Sequence, residues 1–310
     1  MNHEAPLSIT GRRWAPPHTA PTVPPPSPEI PQLSPWILSL LGQRGLIAPA
    51  DIQDYLDTSL GQLEDPASMA DMDKAIERLT QALEKHERVV VYGDYDVDGV
   101  CSTTVLVEFL NELGLTVDYY IPDRKTEGYG VNEDAVTEIA QRADLLITTD
   151  CGITATGPLS LARDSGLDVI VVDHHQVPEE LPPAVALLDP HRPDCAFPFK
   201  GLCAAGVAFM LAIALRRALR EQGHFTTRPQ PDLRRYLDVV AVATVADMVP
   251  LQGNNRVLVA AGLRQMALQQ RPGLNALMAV SKIDPHQINA SDLGFRVGPR
   301  INARGRLDHA

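Results

Sequence analysis

Residues 88–100 read RVVVYGDYDVDGV. A β-branched apolar run closes on a glycine, aspartates follow at alternate positions (Asp94, Asp96, Asp98), and Gly99 ends the acidic stretch before the helix-like VCSTTVLVEFLNELG. A short, continuously apolar, β-branched run is the mark of a strand buried on both faces. The helix after it is read as opening at Val100. Outward along the chain the alternation repeats: strand TVDYYIP, helix VNEDAVTEIAQRA, strand DLLITTD, helix GPLSLARDSG, strand DVIVVDHH and strand AVALLDP. Strands separated by helices of that length predict an α/β fold, a parallel sheet flanked by helices on both faces. Such sheets bind ligands beyond the carboxyl ends of their strands.

The flanks differ. From about residue 201 the chain turns helical, in AAGVAFMLAIALRRALREQ and DLRRYLDVVAVATVADM, and residues 37–87 form a helical lead-in containing DMDKAIERLTQALEKH. Residues 1–36 are proline-rich, with Pro24, Pro25 and Pro26 in a row, which predicts a flexible, extended arm. The expected organisation is therefore an arm over 1–36, a lead-in over 37–87 and an α/β domain over 88–310.

Composition narrows the class without naming a function. The 310 residues are 45% hydrophobic and 21% charged, as in globular proteins. A net charge of -12 argues against nonspecific coating of nucleic acid, which needs a broad basic surface, and leaves room for a local basic groove. Cys101, Cys151, Cys195 and Cys203 show no CxxC spacing, the first residues lack the apolar core of a secretion signal, and no apolar run approaches the ~18 residues of a membrane span. The expectation is a cytoplasmic protein with free thiols and no membrane partner.

The chemistry gathers at strand ends. Asp94, Asp96 and Asp98 follow the first strand, Asp150 follows LLITT, and Asp173, His174 and His175 follow VIVV. Taken singly, Asp98 is an N-cap, Asp150 a loop residue and the histidine pair surface. Together, carboxylates at successive ends of one sheet would repel unless cations neutralised them. Side chains alternate in extended backbone, so the three aspartates of the first loop are expected to point one way, and one histidine of the pair can ligate while its neighbour faces substrate. Oxygen-rich donors with an imidazole suit Mn2+ or Mg2+, and a site of this size can hold two ions. Such a pair activates water and neutralises charge on a phosphoryl group. Cys151 is read as a packing residue rather than a nucleophile.

GDYDVDGVCS, TTDCG, VVDHH and ATVADMVPL together resemble the four metal-binding motifs of the DHH phosphoesterase superfamily, and IPDRKTEGYG and GPRINARGRLD are similar to segments of its RecJ branch, single-stranded-DNA-specific exonucleases. The resemblance runs from about residue 88 onward. It implies that Asp94, Asp96, Asp98, Asp150, His174 and Asp247 hold two Mn2+ or Mg2+ ions, with Asp150 as bridge and a catalytic group. It also implies that His175 lies toward the scissile phosphate and that Asp173 orients a histidine. Asp247 is a lone acid in the apolar run VVAVATVADMVPL, which a metal would explain. Arg124 would hold a terminal 5' phosphate, against a surface pairing with Asp123 or Glu127. Arg300, Asn302 and Arg306, beside Arg296 and Arg304, would meet the DNA backbone.

The resemblance further implies 5' to 3' hydrolysis of single-stranded DNA in repair and recombination, with unspecified repair proteins as partners. RecJ proteins continue into a DHH-associated domain and an oligonucleotide-binding fold, so the chain is expected to be an amino-terminal part of such a protein. A DHH phosphodiesterase of short oligonucleotides or cyclic dinucleotides, and a noncatalytic DNA-binding relative, are the alternatives.

Overall fold

The computed structural model describes residues 10–11 and 33–307, with side chains described through residue 303. The proline-rich arm read over 1–36 thus lies outside the described residues apart from 10–11 and 33–36, and Pro35 already opens a helix, α1 (Pro35–Gln43). Proline is at home there because the first turn has no use for its missing N–H.

Two compact units divide the chain, residues 1–57 and 58–310. In the first, α1 and α2 (Pro49–Leu56) bury Leu41 and Ile52 against Leu38, Leu46 and Tyr55. The lead-in read over 37–87 is therefore split. Its last helix, α3 (Met72–Lys85), belongs to the larger unit, because Met72, Ala75, Leu79 and Ala82 share one core with the sheet.

That sheet has five parallel strands, β1 (Arg88–Gly93), β2 (Thr116–Tyr120), β3 (Leu145–Thr149), β4 (Asp168–Val172) and β5 (Ala186–Leu188), in the order β2-β1-β3-β4-β5. Side chains sort by parity, as alternation requires. Val89, Val91, Leu145, Ile147, Ile170 and Val172 face α3, α4 (Val97–Leu113) and α7 (Ala204–Glu221). Val90, Tyr92, Leu146, Val169 and Val171 face α5 (Glu133–Ala140) and α6 (Thr156–Asp164). Burial on both faces is why these strands read as unbroken apolar runs; each fully buried Val or Leu contributes roughly 1.5–3 kcal/mol. β2, at the sheet edge, is only partly covered.

The remaining helices, α8 (Leu237–Ala246), α9 (Gly253–Ala267), α10 (Pro272–Val280), α11 (Ala290–Asp292) and α12 (Gly298–Leu307), extend the core on the α4 side; a π-helical stretch, Leu293–Val297, joins the last two. Apolar around most of its circumference, α8 is buried along nearly its whole length, as a helix without a polar face must be. No helix among the described residues is long and apolar enough to cross a membrane.

The strand order fixes where a ligand can sit. β1 pairs with β2 on one side and β3 on the other, so the loops leaving β1 and β3 part over a crevice at the carboxyl edge.

Candidate metal centre

Strand β1 ends at Gly93, and α4 begins at Val97, three residues before the Val100 start read from sequence. The reason is the cap. Asp96 Oδ1 accepts the N–H groups of Asp98 (2.8 Å) and Gly99 (3.1 Å), and Asn302 Oδ1 on α12 accepts that of Val97 (3.1 Å). The amino-terminal N–H groups of α4 are thus taken by the protein itself. Asp96 lies in extended backbone (φ -86°, ψ -176°) while Asp98 is already helical, so the three aspartates do not share one extended stretch. Asp98 projects from the first helical turn, and its two oxygens accept from Ala204 N (2.6 Å) and Ala205 N (2.9 Å), capping α7 from another helix. Gly99 allows this seat: a Cβ there would stand 2.2 Å from Asp94 O.

The other acids arrive by comparable devices. Asp150 follows β3 in left-handed backbone (φ 61°), a region Asp tolerates better than most residues. Asp173, after β4, accepts from the N–H groups of Ile153 (3.0 Å), His174 (2.8 Å) and His175 (3.3 Å) and from His175 Nδ1 (2.7 Å). It therefore orients His175 and ties the loop after β3 to the loop after β4. Asp247 sits at the carboxyl end of α8.

These groups converge. His174 Nε2 lies 3.2 Å from Asp150, 3.6 Å from Asp98 and 3.7 Å from Asp247. Three sets of donor atoms each fit within 4.8 Å: Asp94, Asp96 and Asp150; Asp98, His174 and Asp247; Asp150, His174 and His175. Asp150 belongs to both the first and the third set, and His174 to both the second and the third. His174 Nε2 and Asp94 Oδ1 are buried with no hydrogen-bond partner, an arrangement that calls for an ion. Ligands about 2.1 Å from an octahedral ion stand about 3 Å apart, close to the spacings around His174.

The electrostatics describe the same need. Burial first, then the neighbouring Asp96, pushes Asp94 and Asp247 up to about 6. Burial and Asp98 lift Asp150 well above the usual carboxylate range. Burial, followed by the charge of His175, depresses His174 to about 4, so it stands neutral and able to ligate. His175 goes the other way, to about 8, because Asp173 holds its Nδ1–H.

Arg124 is placed on the exposed loop over 121–130. Its guanidinium lies over the Tyr95 ring, 5.0 Å from the centroid. Glu127, one of the two acids offered as its alternative partner, instead accepts from Asp123 N (2.6 Å) and Asn132 (3.2 Å), while Asp123 Oδ1 accepts from Lys125 N and Thr126 N. Arg300 is exposed and donates to Arg296 O (2.6 Å), and Arg296 braces the turn at 281–282. Asn302 spends its Oδ1 on α4. The side chains of Arg304 and Arg306 lie outside the described residues.

Sequence reasoning missed two features. Tyr129 Oη stands 3.5 Å from His175 Nε2, signalled only by its GYG context. Buried Asp189 and half-buried His191, after β5, form a pair 3.5 Å apart that a search of three strand ends passes over. The four cysteines are free and buried, and burial raises the Cys151 thiol far above its ordinary value, which suits packing and not nucleophilic attack.

RecJ of Dickeya dadantii, a single-stranded-DNA-specific exonuclease, is 44% identical over 286 residues, 90% of this chain and 49% of that protein. RecJ of Bacillus subtilis is 40% identical over 279 residues, 90% of this chain and 34% of that one. The chain thus spans half or less of the length of these curated relatives. A solved structure of Thermus thermophilus RecJ in complex with Mn2+ superposes with a TM-score of 0.73 at 33% identity, over 89% of this chain and 38% of that chain. The model of the DHH family, N-terminal domain, matches residues 88–244, the stretch that delivers every strand-end acid described above. On that match, which takes in half of its residues, the chain belongs to the DHH family.

Proposed function

We propose that this chain is the nuclease core of a two-ion phosphodiester hydrolase of the RecJ kind, acting on single-stranded DNA from its 5' end. The observation that carries the reading is His174 Nε2, buried without a hydrogen-bond partner among three carboxylates. Asp94, Asp96, Asp98, Asp150, His174 and Asp247 would hold two Mn2+ or Mg2+ ions, with Asp150 shared, and the Mn2+ complex of the similar Thermus protein supports that choice. When bound, the ions neutralise phosphoryl charge and lower the pKa of water.

The chain's own groups do the rest. Asp173 accepts from His175 Nδ1, so the imidazole keeps its proton at neutral pH and presents Nε2–H to a phosphate oxygen. Arg124 offers a fork to a terminal phosphate, and Arg300, Asn302 and Arg306 would meet the DNA backbone. Work in repair and recombination in the cytoplasm, beside repair proteins, follows from the same reading.

Titration with Mn2+ tests it. Two ions should bind per chain, with affinity lost in Asp150→Ala, and the protein should release mononucleotides from a 5'-phosphorylated single strand while sparing duplex. Undiminished release in excess chelator, or no Mn2+ bound, overturns the proposal.

A further inference from the structure

We infer that Tyr95 is a positioning residue for terminal-phosphate recognition, its ring a shelf that holds the Arg124 guanidinium while leaving the N–H edge open. The inference rests on Arg124 as the group that takes the phosphate, as proposed above.

The loop over 121–130 is fixed at its base. Tyr92 and Tyr120 stack at 5.2 Å, Tyr92 Oη donates to Gly130 O (2.8 Å), and Asn132 Nδ2 donates to Tyr92 Oη (3.3 Å) and Glu127 (3.2 Å). Tyr120 Oη also donates to Glu127. The backbone that carries Arg124 is therefore held, but a long exposed side chain keeps its rotamer freedom unless something seats it. What seats it is Tyr95, 5.0 Å from the guanidinium carbon, within the range where a cation is drawn to a ring face.

Face and edge do not compete. Contact with the ring uses the π-surface of the guanidinium, whereas a phosphate is gripped by N–H groups in its plane. A carboxylate partner would have occupied that edge, but Glu127 and Asp123 Oδ1 accept from backbone N–H groups of the same loop. Tyr95 also stands between Asp94 and Asp96, half-buried. The shelf is thus built into the loop that would carry the ions, and it sets the distance between a held terminal phosphate and the bond to be cut.

Steady-state kinetics on 5'-phosphorylated and 5'-hydroxyl single strands, with Mn2+ titrations of each variant, test this. Tyr95→Leu should raise KM for the phosphorylated strand about three- to tenfold, the size of a partly exposed cation–π contact, with kcat little changed and Mn2+ binding intact. Tyr95→Phe should keep the discrimination between ends, because the ring remains. In Arg124→Ala, adding Tyr95→Leu should cost nothing more. If Arg124→Ala abolishes discrimination and Tyr95→Leu leaves it whole, the shelf is wrong while the phosphate reading stands. Should Arg124→Ala leave discrimination unchanged, the phosphate reading falls and takes the shelf with it. Equal damage from Tyr95→Phe and Tyr95→Leu, or loss of Mn2+ binding in either, overturns the inference by assigning the effect to the hydroxyl or to the metal loop.

Discussion

Asp98 and Asp150 stand on the same ring of donors, yet only one of them is part of the scaffold. Asp98 takes two backbone N–H groups at the start of α7, whose own N-cap residue, Cys203, supplies no side-chain bond. Removing the carboxylate leaves both donors buried and unpaired, at a cost of ~1–3 kcal/mol. Asp150 is held among acids that raise its pKa, so without ions its charge is a burden. Asp150→Asn keeps the shape and suits the left-handed backbone at that position (φ 61°), because Asn visits this region readily. In chelator, denaturant unfolding should therefore show Asp98→Ala less stable than the parent and Asp150→Asn more stable, by ~1 kcal/mol, while both lose Mn2+ affinity. Shifts of the same sign would show that the two acids are not divided in this way.

At the scale of elements, the decisive contact is the seating of α4 on the loop after β1. A Cβ at Gly99 would meet Asp94 O at 2.2 Å and Asp94 N at 2.6 Å, and backbone cannot swing aside as a side chain can. Gly99→Ala should cost ~2 kcal/mol or more by forcing helix and loop apart, and should weaken Mn2+ binding with it. Gly273→Ala in α10, where an added Cβ meets nothing within 4 Å, should instead stabilise by ~0.5–1 kcal/mol. Denaturation curves of the two variants check the contrast. Much of this scale was legible beforehand, since short β-branched runs such as VVVY and VIVV, closed by a turn residue or an acid, read as strands covered on both faces, and the acids follow their ends. The start of α4 was not, because DYDVDG carries three acids that can each cap a helix and no apolar period to choose among them. Nor was the grouping of α3 with the sheet, which depends on what its Leu79 and Ala82 touch. The bonds that Asp98 accepts from Ala204 and Ala205, and the place of Tyr95 beneath Arg124, join residues far apart in the chain, and local pattern is silent on both.

For the whole molecule, the site is a reservoir of protons. Carboxylates titrate near pH 4 when unfolded, but Asp94 and Asp247 are pushed to about 6 and Asp189 to about 7, each chiefly by burial, and Asp98 and Asp150 are raised with them. Between pH 4 and 7 these five acids therefore bind more protons in the folded chain than in the unfolded one, so their contribution to stability falls as pH rises through that window. His175 adds to the decline: its pKa, raised to about 8 by Asp173, gives stability that is full below about pH 6.5 and lost on passing 8. His174 opposes it, since a folded value of about 4 makes stability rise with pH from 4 to about 6.5. His224, lowered chiefly by burial, acts in the same direction as His174, but two imidazoles stand against five carboxylates, and the acids should prevail. Divalent cations supply the missing positive charge and compete with the same protons. Thermal melting in chelator should thus give a lower Tm at pH 7.5 than at pH 5.5, and Mn2+ should raise the Tm by several degrees more at pH 7.5 than at pH 5.5. A chelated protein that grows more stable over that interval, or an equal gain from Mn2+ at both values, would mean that these carboxylates do not share one buried, ion-seeking field.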